Sequence, residues 1–192
     1  MKSDKQTLVL VGLIIITALS RLIPHPFNFT PITAISVFGG VMFSNKKFSY
    51  LIPIIAMVVS DMLLGFMKND FGYAFHDTSL FVYGALALIV WISTTAKKSL
   101  RSVATTTLYG SALFFVVSNL GVWMVSGMYP MSVNGLVQCF TMAIPFYSTD
   151  AFPAFSLLGN QILGDAVYTG LIFGLAYITS MVTIPKAIIA TK

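Results

Sequence analysis

Two aspartates stand inside long apolar runs, Asp61 within Phe48–Phe66 and Asp165 within Phe155–Thr183. An acid at a helix centre in a bilayer costs about 2.5–3.5 kcal/mol to insert, so each needs a partner or a task that offsets the cost. Asn119 lies in Val103–Ser126, and Asn160 and Gln161 precede Asp165, adding hydrogen-bonding groups in equally apolar surroundings. Helical spacing aligns Met57 with Asp61, Asn119 with Trp123, and Gln161 with Asp165 and Tyr168. Such stripes suit a pocket that grips a small molecule inside a helix bundle. The competing reading is structural: Asp61, Asn119 and Asp165 cap broken helices and bond to neighbouring spans, with Asp165 reaching backbone groups or Arg21. Asp61 is expected to face a ligand, and for Asp165 the structural reading leads.

The imidazoles and the thiol could add metal chemistry. His25 sits between Pro24 and Pro26, which hold it rigidly at the rim of such a pocket. His76 lies in Met67–Thr78 with Phe71, Tyr73, Phe75 and Asp77, and flat apolar rings beside a few polar groups suit a large planar ligand. His25, His76 and Asp61 are candidate transition-metal ligands, although no H-x-x-x-H or H-E-x-x-H spacing preforms a site. Cys139 is the sole cysteine, so no intramolecular disulfide is available. It is either a soft ligand for a metal or cobalt corrin, or a small buried apolar residue. The ten methionines are spread through the spans, which gives a copper path little support.

The elements that carry these residues follow from composition. Of 192 residues 57% are hydrophobic and 17 are charged, 11 basic and 6 acidic, all six aspartate. That 9% compares with about 25% in a soluble domain, too little to cover a soluble surface. The composition excludes a nucleic-acid binder, a disulfide scaffold and a soluble catalytic domain. It predicts one all-α, polytopic integral membrane domain over residues 1–192. Six apolar runs, Thr7–Ser20, Pro31–Phe43, Phe48–Phe66, Leu80–Thr95, Val103–Ser126 and Phe155–Thr183, predict six transmembrane helices. With Met1 in the cytoplasm, Lys2, Lys5, Lys46, Lys47, Lys97, Lys98, Arg101, Lys186 and Lys192 fall inside, and only Arg21 and Lys68 outside. This positive-inside bias places both termini in the cytoplasm, in a bacterial inner (plasma) membrane. The first run also resembles a signal peptide ending at Ala18-Leu19-Ser20, but an uncleaved span is expected.

Two segments interrupt this regularity on the outer side. Arg21–Pro31 (RLIPHPFNFTP) holds three prolines, and Thr30-Pro31 reads as an N-cap followed by proline at the first helical position. The second helix then spans only Pro31 to about Ser44, short for a crossing, so part of the proline segment is expected at membrane depth. Met128–Pro153, broken by Pro130, Asn134, Gly135 and Pro145, reads as a cap or re-entrant piece. Asp61, Asn119, Asn160 and Gln161 lie beneath both segments, and Asp165 sits near mid-membrane. Gly170-x-x-x-Gly174 permits close helix contact, within the bundle or in a homodimer. No G-x-x-x-x-G-K-[ST] occurs, so the chain has no P-loop for ATP.

Arg21–Pro31, Ser60-Asp61, Ser118–Trp123 (SNLGVW) and Ala143–Phe146 (AIPF) resemble S-component proteins of the energy-coupling-factor class of vitamin importers. Within that class the chain is most similar to the small solitary cobalamin-transporter family and its uncharacterised bacterial relatives. The resemblance implies an S-component-like bundle with a cobalamin pocket lined by His25 and Asp61 and by Tyr73 or Tyr83. That family uses a loop cysteine as a cobalt ligand, and Met67–Ser79 contains none. His76 stands in about that place and would supply the axial imidazole instead. S-components that share an energising module often carry Ala-x-x-x-Ala on the first helix. Leu8–Ser20 lacks it, which favours working alone.

The leading expectation is therefore a transporter or capture protein, not an enzyme, for a small nutrient entering from the outer face. Cobalamin or a corrin-like vitamin comes first, as bound substrate rather than required cofactor. The expected binding residues are His25, Asn28, Asp61, Tyr73, His76, Tyr83, Asn119 and Asp165, with Cys139 as a further metal ligand. Expected partners are the substrate, the lipid bilayer, and an energising module or a second copy of the chain. The alternatives are a transition-metal permease using His25, Asp61, His76 and Cys139, and a ligand-free accessory subunit.

Overall fold

The computed structural model describes residues 2–148 and 155–179, and gives the backbone alone for residues 2–5, 73 and 155. Helix α1 (Lys2–Leu19) runs into a 3-10 turn (Ser20–Leu22), followed by α2 (Ile32–Met42), α3 (Lys46–Lys68) and the single turn α4 (Phe71–Ala74). Then come α5 (Ser79–Ser93), α6 (Leu100–Val125), α7 (Val133–Met142) and α8 (Leu157–Ile178). Helices occupy most of the described part of every predicted apolar run. Three of them, α3, α6 and α8, are long and apolar enough to cross a membrane, whereas Gln6–Leu22, α2 and α5 are shorter apolar helices.

The architecture is helical, with one local departure. Phe146–Tyr147 (β1) pairs antiparallel with Phe155–Ser156 (β2), Phe146 opposite Ser156 and Tyr147 opposite Phe155. Pro145 bars α7 from continuing, and the returning backbone meets the start of α8 and finds its hydrogen bonds there.

Every residue of α2 is buried, because the helix packs against α1, α3, α5, α6 and α8 at once. Its eleven residues rise only about 16 Å, half of a hydrocarbon core of about 30 Å. A helix walled in by protein need not match the lipid thickness, so long as its ends find partners. Lys98 Nζ lies 3.5 Å from Met42 O at the C-terminal end, where a cation also suits the helix dipole. At the other end the first helical residue is Ile32 rather than Pro31, and Pro31 takes the cap position without a side-chain cap bond. Thr30 is held in the preceding turn instead, its N–H donating to Asn28 O at 3.0 Å, with Asn28 in the left-handed region at φ 60°.

Small residues let the surrounding helices reach α2. A Cβ on Gly39 would lie 2.5 Å from Pro53 Cγ of α3 and 2.9 Å from Ser49 O. A Cβ on Gly40 would lie 2.4 Å from Ser93 Cβ and 2.7 Å from Val90 O of α5. The hydroxyls that enter this core are satisfied locally: Ser36 donates to Ile32 O at 2.8 Å and Ser93 to Ile89 O at 2.6 Å.

Serine caps start three of the other helices. Ser99 caps α6, Ser132 caps α7 and Ser156 caps α8, each accepting from a backbone N–H three residues on. The Ser156 hydroxyl is 5% exposed and also donates to Ile144 O at 2.8 Å, tying α8 to the chain leaving α7. Ser156→Ala is expected to cost about 1–2 kcal/mol. A drop of a few degrees in the melting temperature of detergent-purified protein would register it, and an unchanged melt would show the cap to be idle.

Candidate functional site

The ionisable centre of the bundle is an ion pair between two elements 40 residues apart. Asp61 lies seven residues before the end of α3, about 10 Å along the helix axis, and is 7% exposed. Arg21, in the 3-10 turn that ends α1, turns its guanidinium onto it. Nη1 donates to Asp61 Oδ1 at 2.5 Å and to Ser60 Oγ at 2.7 Å. Ser60, fully buried, passes its own hydroxyl proton to Met57 O at 2.9 Å. Tyr83 of α5 donates its phenol O–H to the other oxygen, Asp61 Oδ2. Three helices thus meet through one carboxylate. Arg21 Nε is buried and has no hydrogen-bond partner.

The local sequence explains the geometry. Pro24, Pro26 and Pro31 keep the chain after α1 out of helix, so α1 closes in a tight turn that aims Arg21 across at α3. On α3, Met57, Ser60, Asp61 and Gly65 share the buried face at helical spacing. On α5 Tyr83 lies within the first turn and a half, level with the C-terminal part of the antiparallel α3.

The other candidates fall into separate places. His25 is half-buried and its Nδ1 lies 3.0 Å from Pro26 O, while Asn28 is exposed in the turn beside it. His76 is exposed, with Nδ1 2.7 Å from Thr78 Oγ1. Tyr73 belongs to α4, and its side chain lies outside the described residues. Asn119 Nδ2 donates to Phe115 O at 2.8 Å on its own helix. Cys139 of α7 is 2% exposed, and its thiol contacts Asn119 O at 3.4 Å. Asp165 lines a groove between α6 and α8 that none of Arg21, Asp61, Tyr83 and Asn119 lines. Among the described residues no three His, Cys, Asp or Glu side chains come together as metal ligands.

The irregular segment 21–31 and the described part of the second, 128–148, share one end of the bundle; residues 149–153 of the second lie outside the described residues. Asn160 Nδ2 at the start of α8 donates to Phe27 O at 2.8 Å, and Gly164 lets Phe29 and Thr30 lie against α8. Trp123 Nε1 near the end of α6 donates to Pro130 O at 3.0 Å. The Arg21–Asp61 pair therefore lies beneath the end of the bundle that carries the proline segment.

A family model described as "Family of unknown function (DUF6580)" matches residues 1–187. The chain belongs to the DUF6580 family. No curated protein and no solved structure matches it. The buried cluster of this DUF6580 member is thus read from its own residues.

Arg21 is the member of the cluster to which the sequence points least directly. The sequence offers it as a partner for Asp165, yet the fold gives it to Asp61. A signal was present: Arg21 is one of only two basic residues on the side that the charge bias depletes, and it follows directly on an apolar run. A cation in that position needs an anion at membrane depth, and only the packing of α1 against α3 decides which aspartate supplies it.

Proposed function

We propose that this protein captures a small nutrient at the proline end of its bundle and carries it across the membrane. In this reading the chain crosses six times in an S-component-like arrangement, both termini are cytoplasmic and the proline end faces out. The distribution of basic residues supports that orientation, since nine of eleven fall on the opposite side. The observation that carries the proposal is the unmet donor of Arg21. A buried guanidinium N–H without an acceptor is rare, because an orphaned polar group costs about 1–3 kcal/mol. A ligand bearing amide, carboxylate or phosphate oxygens would complete it while Nη1 stays on Asp61.

A corrinoid fits this description by its many acceptors, and His76 would ligate the cobalt. If its Nδ1–H donates to Thr78 Oγ1, the Nε2 lone pair is left for a metal. One observation favours a second reading, a ligand-free accessory subunit: both Asp61 oxygens already have donors. The metal permease has less support, because its four ligands do not gather. Without an ATP site of its own, the protein equilibrates its ligand unless a partner, an ion gradient or trapping adds a direction.

Arg21→Lys separates the two leading readings. Lysine keeps the charge opposite Asp61 but has no Nε–H, so a ligand held there should bind at least about tenfold more weakly to a protein that still folds. Equilibrium binding of cyanocobalamin, read with its visible spectrum on the purified protein, checks the corrinoid. Identical affinity in wild type and R21K, or no small molecule co-purifying with the wild type by mass analysis, would favour the accessory subunit.

A further inference from the structure

Away from the Arg21–Asp61 cluster, α6 and α8 part along their length to leave a half-open groove of about 500 Å³. That volume falls within the roughly 300–1,000 Å³ of small-molecule sites. Leu108 on its rim is 63% exposed and Ile162 46%, so the mouth opens sideways between two helices long enough to cross a membrane. Cβ atoms added to Gly170 or Gly174 in its wall would meet nothing within 4 Å, which leaves the room empty.

Asp165 lines this apolar groove, is 3% exposed, and its Oδ2 has no hydrogen-bond partner. The neighbouring hydroxyls bring no charge: Ser111 and Thr33 hydrogen-bond the carboxyl group, and Thr107 turns to its own helix. Thr107 donates to Val103 O at 2.9 Å and lies 3.4 Å from Thr169 Oγ1, and Ser111 Oγ accepts from Gln161 Nε2 at 3.1 Å. No Lys, Arg or His lines the groove. Ionised, a buried carboxyl group without a counter-charge is costly, and a cationic ligand in the groove would supply the missing charge. Asp165 stands eight residues into α8, about 12 Å along its axis, below the level of a bilayer lipid's own headgroup. The visitor is therefore a single-chain molecule that can submerge its polar end.

We infer that the α6–α8 groove is a second site, which takes an amphiphilic amine laterally from the bilayer. The alkyl chain lies between the helices, and the ammonium donates to the Asp165 carboxylate. This site shares none of Arg21, Asp61 and Tyr83, so it stands whether or not the nutrient reading does.

The test is photolabelling of the full chain in phosphatidylcholine nanodiscs with a diazirine-bearing tetradecylamine, beside the matched alcohol and hydrocarbon. The amine is expected to mark peptides from residues 100–111 and 162–177, and dodecylamine should compete. Asp165→Asn should lower this labelling at least about tenfold. Gly170→Phe, whose ring enters the empty groove and leaves Asp165 in place, should abolish it without lowering the melting temperature, and it carries the test should D165N not fold. Labelling by the alcohol or hydrocarbon as strong as by the amine would overturn the assignment. So would undiminished labelling of D165N or of Gly170→Phe, or cross-linking of two copies through this face in place of labelling.

Discussion

Asp61→Ala should be among the most damaging single substitutions in the protein. It leaves the Arg21 guanidinium 13% exposed with no anion, and strands the Tyr83 hydroxyl as well. Removing one partner of a buried pair costs about 3–5 kcal/mol, chiefly because the remaining charge stays desolvated. Most of the folded yield should go, as read by monodisperse recovery in detergent and by thermal melting. Replacing both partners is a different experiment. An Arg21→Met, Asp61→Leu double variant removes both charges, and such exchanges are often neutral for stability. The double variant should therefore melt near the wild type while binding no ligand, if the pair serves capture. A double variant that folds and also assembles and transports normally would show that the pair only locks α1, α3 and α5. One that folds no better than D61A would show that hydrogen bonds to Ser60 and Tyr83, not charge balance, hold the site.

The second large effect is expected at Gly40. Its neighbours within 3 Å of an added Cβ include Val90 O, a backbone atom of α5, so no side-chain rotation relieves the clash. Gly40→Ala forces α2 and α5 apart, and overpacking of this kind costs about 1–3 kcal/mol. Gly40→Val enlarges the clash and should abolish folded protein, because α2 contacts five other helices and cannot retreat from one without pressing on another. Gly174→Ala is the control: its Cβ meets nothing, and alanine is better than glycine in a helix by about 0.5–1 kcal/mol. Its melting temperature should hold or rise. A Gly40→Ala protein as stable as Gly174→Ala would mean that α5 does not pack against α2 as closely as described.

The same contrast shows which parts of the molecule were legible in one dimension. The apolar runs at α3, α5 and α6 match those helices within three residues at each end, because apolar stretches bounded by Lys, Asn, Ser and Gly are local signals. Pro24, Pro26 and Pro31 marked the irregular entry to α2, since proline's missing donor acts wherever the chain goes. The two-residue ladder at Phe146 is not legible there, because its partner strand lies beyond a break in the pattern and so short a pairing has no period of its own.

The site was legible in its members more than in its grouping. Asp61 and Tyr83 both stand among the expected binding residues, and they share a hydrogen bond; Asp165 and Asn119 stand with them, but the fold sets Asp165 in the α6–α8 groove and Asn119 beside Cys139. Residue type and depth tell which groups must find partners. They do not tell which helix lies next to which.

The sequence by itself determined a helical chain with too few charges for water, apolar helices of set length, and costly acids that could not be idle. Only the tertiary structure decided that the shortest of the six apolar helices is the centre, that Arg21 pairs with Asp61, and that Asp165 keeps an unpaired oxygen beside a lateral groove. The reason is physical: burial cost is a property of each residue in its solvent, whereas pairing depends on close approach of helices, which glycines such as Gly39, Gly40 and Gly164 permit only once the chain has folded.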